Sequence, residues 1–509
     1  MRTAARALIS LYSSYGLLVL ANALFTTVIS LRADIEGFVV QTIGLLMACY
    51  FLGMFVGARF TSGIIQRAGH IRAFGAFASF ISISPLMHIL WIDPWVWGVL
   101  RLMDGFCLAG LFIITESWLN ARSSNETRGS IMALYMVVNY LASGLGQLLL
   151  IFAEPGDFQL FAIASICFSL SLLPLLMTRT EAPAPQPVKG FTVMPLLKVA
   201  PTGLFGAVCS GSVNAAFFSM APIYAQGLEM SVRDISLFMM AGVFSGLVLQ
   251  IPIGKLSDRI ERRKVIAGVS FGALMCSLSM ILIVQLGLPT YWLFFNVFAY
   301  GSLAFVIYPL SAAHVNDWSD PDQLMQTSSG LLVGYGCGAI FGPMLSAGLM
   351  GKFGPSALFI YIAVNLFFMM LFAIYQSRVA GLQREKIEFI PQAAVQFPTE
   401  ELYHAAQDDA DPVPEELYDS GTDEPAQEPE IRPEEIAGVE DNETSGHGVV
   451  EEYVTDAPDD MSYEELKKEI QEELHPDPVE QQDADFPQES SDDEADENTD
   501  KKKPHKPSE

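Results

Sequence analysis

The chain is 509 residues long and carries 29 lysines and arginines against 57 aspartates and glutamates, a formal net charge of −28. The charge is unevenly placed: residues 1–390 hold 22 basic and 18 acidic residues, whereas residues 391–509 hold 7 and 39. A charge-poor body joined to an acidic tail excludes one ordinary soluble acidic enzyme. It also argues against a nucleic-acid partner, because phosphate repels the tail and the body offers no broad basic surface.

A bilayer core about 30 Å thick takes about 20 mostly apolar residues per helical crossing. This measure finds twelve stretches along the body. The first six are Leu8–Leu31, Phe38–Phe60, Ala73–Ile92, Trp95–Leu119, Gly129–Phe152 and Phe158–Met177. The second six are Ala200–Gln226, Ile235–Leu256, Lys264–Leu286, Tyr291–Val315, Met325–Met350 and Pro355–Arg378. Leu8–Leu31 follows Arg2 and Arg6 and contains Ala21-Asn22-Ala23, a pattern also found at secretory cleavage sites. Its apolar run is longer than the roughly 7–15 residues of a signal core, so it is read as a retained span.

Glu181–Pro187 reads EAPAPQP, suited to an extended linker that divides the body into six plus six. The expected units are a first half at 1–179, a linker at 180–199, a second half at 200–390 and a disordered acidic tail at 391–509. The fold class is therefore an all-α polytopic membrane protein, with twelve transmembrane helices in two pseudo-symmetric six-helix halves. With the N-terminus inside, inner ends and connections carry eighteen basic residues against three outside, Arg32, Arg233 and Lys352. That asymmetry predicts a plasma (inner) membrane protein with both termini cytoplasmic. The six cysteines fall in six different spans, so neither a disulfide framework nor a metal site is expected. No phosphate-binding loop of the Gly-x-x-x-x-Gly-Lys-Ser/Thr kind occurs, and no cofactor is implied.

The loops after spans two and eight sit at matching places, Ser62–Arg72 and Gly254–Lys264, with Gln66 and Asp258 192 residues apart. Gly146 in span five and Gly342 in span eleven are 196 apart, as an internal duplication would leave them. The run Gly254-Lys255-Leu256-Ser257-Asp258-Arg259, with Arg262, Arg263 and Lys264 after it, resembles the loop signature of the major facilitator superfamily of secondary transporters. The first-half copy keeps Arg67, Gly69 and Arg72 but has Gln66 and His70, and Glu261 stands where the signature has glycine. Arg101-Leu102-Met103-Asp104-Gly105 resembles that family's span-four Arg-x-x-x-Gly motif, and Gly338–Pro343 resembles its Gly-x-x-x-Gly-Pro pattern. The resemblance implies a transporter of a small organic solute, with proton coupling left open and no enzymatic activity.

The resemblance also implies site residues. Gly254, Asp258, Arg259, Arg262, Arg263, Arg67 and Gly69 would form a cytoplasmic gate, an Asp–Arg pair at helix ends favouring one closed state. Arg101 and Asp104, one turn apart in span four, read either as a structural ion pair or as cavity groups serving substrate or proton coupling. Spans one, five, seven and ten border the family's cavity, which selects Asn22, Asn139, Asn214 and Asn296 among the amides at membrane depth. Glu116 is read as an interfacial carboxylate, and His88 and His314 as packing residues. In the tail, Ser462 and Glu465 form a capping box before Leu466, Ile470 and Leu474. The tail is either a solvated spacer or a docking segment for a cytoplasmic protein. A receptor that kept the transporter fold and signals through this tail is the alternative function.

Overall fold

A computed structural model describes residues 2–122, 125–177, 194–319 and 324–379. The linker run Glu181–Pro187 and the acidic tail, including the Ser462–Leu474 segment, lie outside the described residues. The helices are α1 (Arg2–Ile35), α2 (Val40–Ala68), α3 (His70–Leu90), α4 (Pro94–Asn120), α5 (Asn125–Leu148), α6 (Gln159–Leu176) and the short α7 (Met194–Val199). Then come α8 (Pro201–Gly227), α9 (Val232–Arg259), α10 (Arg262–Gln285), α11 (Tyr291–Ala304), α12 (Ile307–Trp318), α13 (Leu324–Phe353) and α14 (Ala357–Val379). Twelve stretches are long and apolar enough to cross a membrane, with α11 and α12 together making the tenth, and no strand occurs among the described residues.

Local chemistry explains the ends. The Asp93 carboxylate caps α4 by accepting from the backbone N–H groups of Trp95 (2.9 Å) and Val96 (3.1 Å), with Pro94 at the first helical position. Ser231 caps α9 through the Asp234 N–H at 3.2 Å. The second and eighth spans run past the expected Phe60 and Leu256, so the loops after them nearly vanish. Gly69 alone joins α2 to α3 at φ +81°, a backbone state that suits glycine. Ile260 and Glu261 join α9 to α10 without positive φ. The tenth span breaks at Phe305–Val306. Pro309 removes the N–H that the Phe305 carbonyl would accept from, and the Phe305 ring is held against Phe218 at 5.2 Å. Pro85, Pro174, Pro222, Pro252 and Pro343 lie within unbroken helices, so the missing donor acts together with that packing. The stretch expected as linker to residue 199 ends in α7, whose Leu196 is fully buried and which packs on α8, α12 and α13.

Burial is arranged as a membrane demands. Leu282, Phe295, Phe341 and Phe368 face outward, while Arg101, Asp104, Asn139 and Gln147 lie inside. Helices α1–α6 pack among themselves, mainly α2 on α4, α1 on α5 and α6, and α3 on α6. Helices α8–α14 do likewise, mainly α8 on α13, α10 on α14 and α9 on α11. The two bundles meet through α2 with α13, α5 with α9 and α1 with α8. Small residues allow the close approaches. A Cβ at Gly53 would overlap the Leu102 carbonyl, and one at Gly105 the Tyr50 carbonyl. The duplication is visible in contacts: Gly146 on α5 lies against the Leu20 backbone of α1, and Gly342 on α13 lies against the Ser212 backbone of α8. Leu20 and Ser212 are 192 residues apart, the same offset as Gln66 and Asp258.

The two faces of the molecule differ. One, here the terminal face, holds the start of α1 and the end of α14; the other, the connection face, holds the α1–α2, α8–α9 and α13–α14 turns. Near the connection face the bundles bond to each other. The Gln226 amide donates to Asp34 (2.9 Å), Ser30 to the Ser219 carbonyl (2.9 Å) and Ser236 to the Gln147 carbonyl (2.6 Å). Gly44 on α2 abuts Pro343 and Ala347 on α13. Near the terminal face the same helices bond within their own bundle: Tyr12 to the Ile131 carbonyl (2.9 Å) and Ser14 to the Ser171 carbonyl.

Candidate functional site

Between the bundles, at mid-depth, lies a narrow cleft of about 40 Å³, room for a few water molecules. Its polar wall comes from α1 and α5. Asn22 and Thr26 sit one turn apart on α1, as do Ser143 and Gln147 on α5, all lining the cleft. The Thr27 hydroxyl donates to the Gln147 side-chain oxygen (2.9 Å), and the Gln147 amide donates to the Ala23 carbonyl (3.2 Å), joining the two helices. Phe51 and Met54 of α2, Ala215 and Phe218 of α8 and Val243 of α9 supply the apolar wall. Tyr50 of α2 and Tyr335 of α13 also line it. The Tyr50 hydroxyl donates to Asn22 at 3.3 Å, and Tyr335 is hydrogen-bonded to buried Asn214. Asn22 and Asn214 are 192 residues apart, so the repeat places one amide in each bundle beside a cleft tyrosine.

Arg101 and Asp104 do pair, at 3.4 Å, and both are at most 1% exposed. Contrary to the cavity reading, Arg101 does not line the cleft. Its guanidinium lies 4.3 Å from the centre of the Tyr50 ring and 5.4 Å from that of Phe25, so Tyr50 stands between it and the cleft. The close approach of α2 and α4 at Gly53 and Gly105 causes this, by bringing the Tyr50 backbone against α4. Burying a guanidinium is costly, and the carboxylate and two ring faces offset part of that cost. His88 packs beside the cluster, its Nδ1 2.8 Å from the Ser84 carbonyl and its ring 5.2 Å from that of Trp97.

The remaining amides separate. Asn139 is fully buried and donates to the Tyr15 hydroxyl. Asn296 is directed away from the cleft: it is half-buried and donates to Ser279 on α10 at 2.6 Å, because α11 turns that face toward its neighbour. Glu116 corrects the interfacial reading. It is 2% exposed and accepts from the Tyr135 hydroxyl at 2.6 Å, since α5 covers the end of α4 there.

At the terminal face the second-bundle signature forms a brace. Arg262, 0% exposed, bonds Asp317 of α12 (2.7 Å), Asp258 (3.1 Å) and the Ser257 hydroxyl (2.9 Å), while Ser257 donates to the Gly254 carbonyl (2.7 Å). Arg263 bonds the Gln376 carbonyl of α14 at 2.7 Å and covers the Trp318 ring at 5.0 Å. Asp258 therefore pairs with Arg262, four residues on, and Arg259 is exposed. These bonds tie α9, α10, α12 and α14 to one another, all within one bundle. Arg67 and Gly69 are exposed at the matching turn of the first bundle. Residue type alone did not single out Tyr50, Tyr335, Thr26 or Ser143. The available signal was spacing, since Thr26 lies one turn beyond Asn22 and Ser143 one turn before Gln147.

The family model described as Major Facilitator Superfamily matches residues 11–307 and 204–399. A protein of Escherichia fergusonii named "Uncharacterized MFS-type transporter YcaD" is 28% identical over 375 residues, covering 73% of this chain and 96% of that protein. Its namesake in Escherichia coli O139:H28 is 30% identical over 377 residues, with shares of 73% and 96%. Among solved structures, a mutant of nucleoside transporter NupG superposes with a TM-score of 0.62 at 12% identity, covering 72% of this chain and 99% of that one. An auto inhibited POT family peptide transporter gives 0.59 at 11%, with shares of 77% and 100%. At those identities the superpositions speak for the fold.

Proposed function

The chain belongs to the major facilitator superfamily of membrane transporters, and from that premise we propose that it moves a small organic solute by alternating access, through rocking of the halves 1–179 and 200–390 about the central cleft. One observation carries this reading. Helix α1 bonds the opposite bundle from Ser30 and Asp34 and its own bundle from Tyr12 and Ser14, with the cleft residues between these positions. A helix tied across at one end and within at the other can tilt with its bundle while the far end stays closed. A cleft of about 40 Å³ is smaller than an organic solute, so binding requires such a movement.

The terminal face is the cytoplasmic one in this proposal. The described helix ends and turns there carry Arg59, Arg67, Arg72, Arg122 and the cluster from Lys255 to Lys264, against Arg32, Arg233 and Lys352 on the connection face. The structure then corresponds to a state closed toward the outside. Asp104 is the proposed proton carrier. Its carboxyl is buried beside Arg101 at 3.4 Å, and a carboxyl in that setting can bind a proton when the ion pair shifts.

The test is counterflow in proteoliposomes with a metabolite and drug panel, repeated under an imposed pH gradient. Saturable exchange is expected. Asp104→Asn should keep exchange and lose accumulation driven by the gradient. Absence of flux for the whole panel in a well-folded preparation refutes transport, and an unchanged gradient response in Asp104→Asn refutes the proton assignment.

A further inference from the structure

Among the described residues, four buried serine or threonine hydroxyls have no hydrogen-bond partner: Thr26, Ser143, Ser219 and Ser270. Two of the four, Thr26 and Ser143, line the central cleft. Hydroxyls on membrane helices commonly bond the carbonyl one turn back, as Thr61, Thr115, Ser210 and Ser311 do here. Thr26 and Ser143 leave that bond unmade while facing a space between helices. Neither hydroxyl bonds another protein group, so each can donate to and accept from a polar group that enters the cleft in place of water.

The charge pattern around the cleft is equally selective. Its fourteen lining residues include no Asp, Glu, Lys, Arg or His. Behind its Tyr50 wall, Arg101 is paired with Asp104 at 3.4 Å and lies over the Tyr50 ring, outside the cleft lining. A solute carrying net charge would enter without a counter-ion, at a cost that hydroxyls and amides do not offset. The opposite wall is apolar and firm, with Phe218 stacked on Phe305 at 5.2 Å and 19°.

Building on the transport reading above, we infer that the cleft takes an uncharged solute with one hydrogen-bonding edge and one apolar or aromatic face, the edge held by Asn22, Thr26, Ser143 and Gln147. Amides and hydroxyls both donate and accept, so the site reads a polar edge and excludes net charge of either sign.

The test uses purified full-length protein and size-matched triads: benzamide, benzoate and benzamidinium; nicotinamide, nicotinate and the N-methylnicotinamide cation; glucose, gluconate and glucosamine. Thermal stabilisation in detergent reads binding, and counterflow in proteoliposomes reads transport. At least one neutral member should stabilise the protein, with its charged partners bound about tenfold or more weakly. Ser143→Ala and Thr26→Val should each weaken that neutral binder by about tenfold. Stronger binding by a charged member, no stabilisation by any neutral member, or unchanged affinity in both variants overturns the inference. Neutral binding without counterflow overturns the transport reading and leaves the site assignment standing. Counterflow of the charged members alone overturns the site assignment and leaves transport standing.

Discussion

The bonds of the connection face and the terminal face differ in kind. Near the connection face, bonds that cross from one bundle to the other are made without an ion pair, as in Gln226 to Asp34, Ser30 to Ser219 and Ser236 to Gln147. Near the terminal face the described residues form a buried ion pair and buried hydrogen bonds within a bundle, as in Arg262 to Asp317 and Tyr135 to Glu116. Strong bonds within a bundle make it a rigid body, and weaker bonds between bundles can be exchanged. A closed connection face is thus held by contacts worth about 1 kcal/mol each, which a bound solute can outweigh. The terminal-face charges, expected from the signature to work as a gate, act in this conformation as a brace for α9, α10, α12 and α14.

That contrast can be broken in four places. The largest effect is expected from Asp34→Cys with Gln226→Cys in a background lacking the six native cysteines. A short thiol cross-linker should lower counterflow about tenfold or more, and a cleavable linker should restore it on reduction; unimpaired flux in the cross-linked protein would mean that the connection face need not open. Next comes Arg262→Ala, which takes away the guanidinium that buried Asp317 bonds at 2.7 Å. It should cost about 3–5 kcal/mol, read as a lower Tm in detergent, with Arg262→Ala/Asp317→Ala recovering part of the loss. A wild-type Tm would remove the brace. Asp258→Ala should cost less, because that carboxylate is 28% exposed and partly screened by water; impaired counterflow with normal membrane insertion would show a gating role beyond the brace. Gly69→Ala imposes positive φ on a side chain at the one-residue turn and should cost about 1 kcal/mol, measurable as a small Tm shift. Arg67→Ala, at an exposed position, should stay within about 0.5 kcal/mol. A larger loss there would mean that the first bundle has a brace of its own.

Much of the fold could be read directly because the bilayer imposes a length and a polarity on each crossing. Leu8–Leu31 and Pro355–Arg378, for example, fall close to α1 and α14. The break in the tenth span was less readable, since five other prolines leave their helices unbroken and the difference lies in how Phe305 packs. Site placement depends on helix rotation and on the distance between helix axes, and residue type encodes neither. Arg101 belongs to the expected motif, yet Gly53 and Gly105 bring Tyr50 in front of it. Asn296 shares the polarity of Asn22 but faces Ser279. Glu116 lies near a helix end and is nonetheless covered by Tyr135. Thr26 and Ser143 gave little signal because most such hydroxyls in membrane helices bond their own backbone.

The equal spacing of Asn22 and Asn214 carries a historical consequence. If one ancestral asparagine stood at both positions, the ancestor was a half-length chain that paired with a copy of itself, and its cleft had two identical edges. Fusion would then have freed the edges from each other. Asn22 now meets Tyr50 from the second helix, whereas Asn214 meets Tyr335 from the penultimate span. A two-fold symmetric vestibule would thereby have become a lopsided one, suited to a molecule whose two ends are unlike.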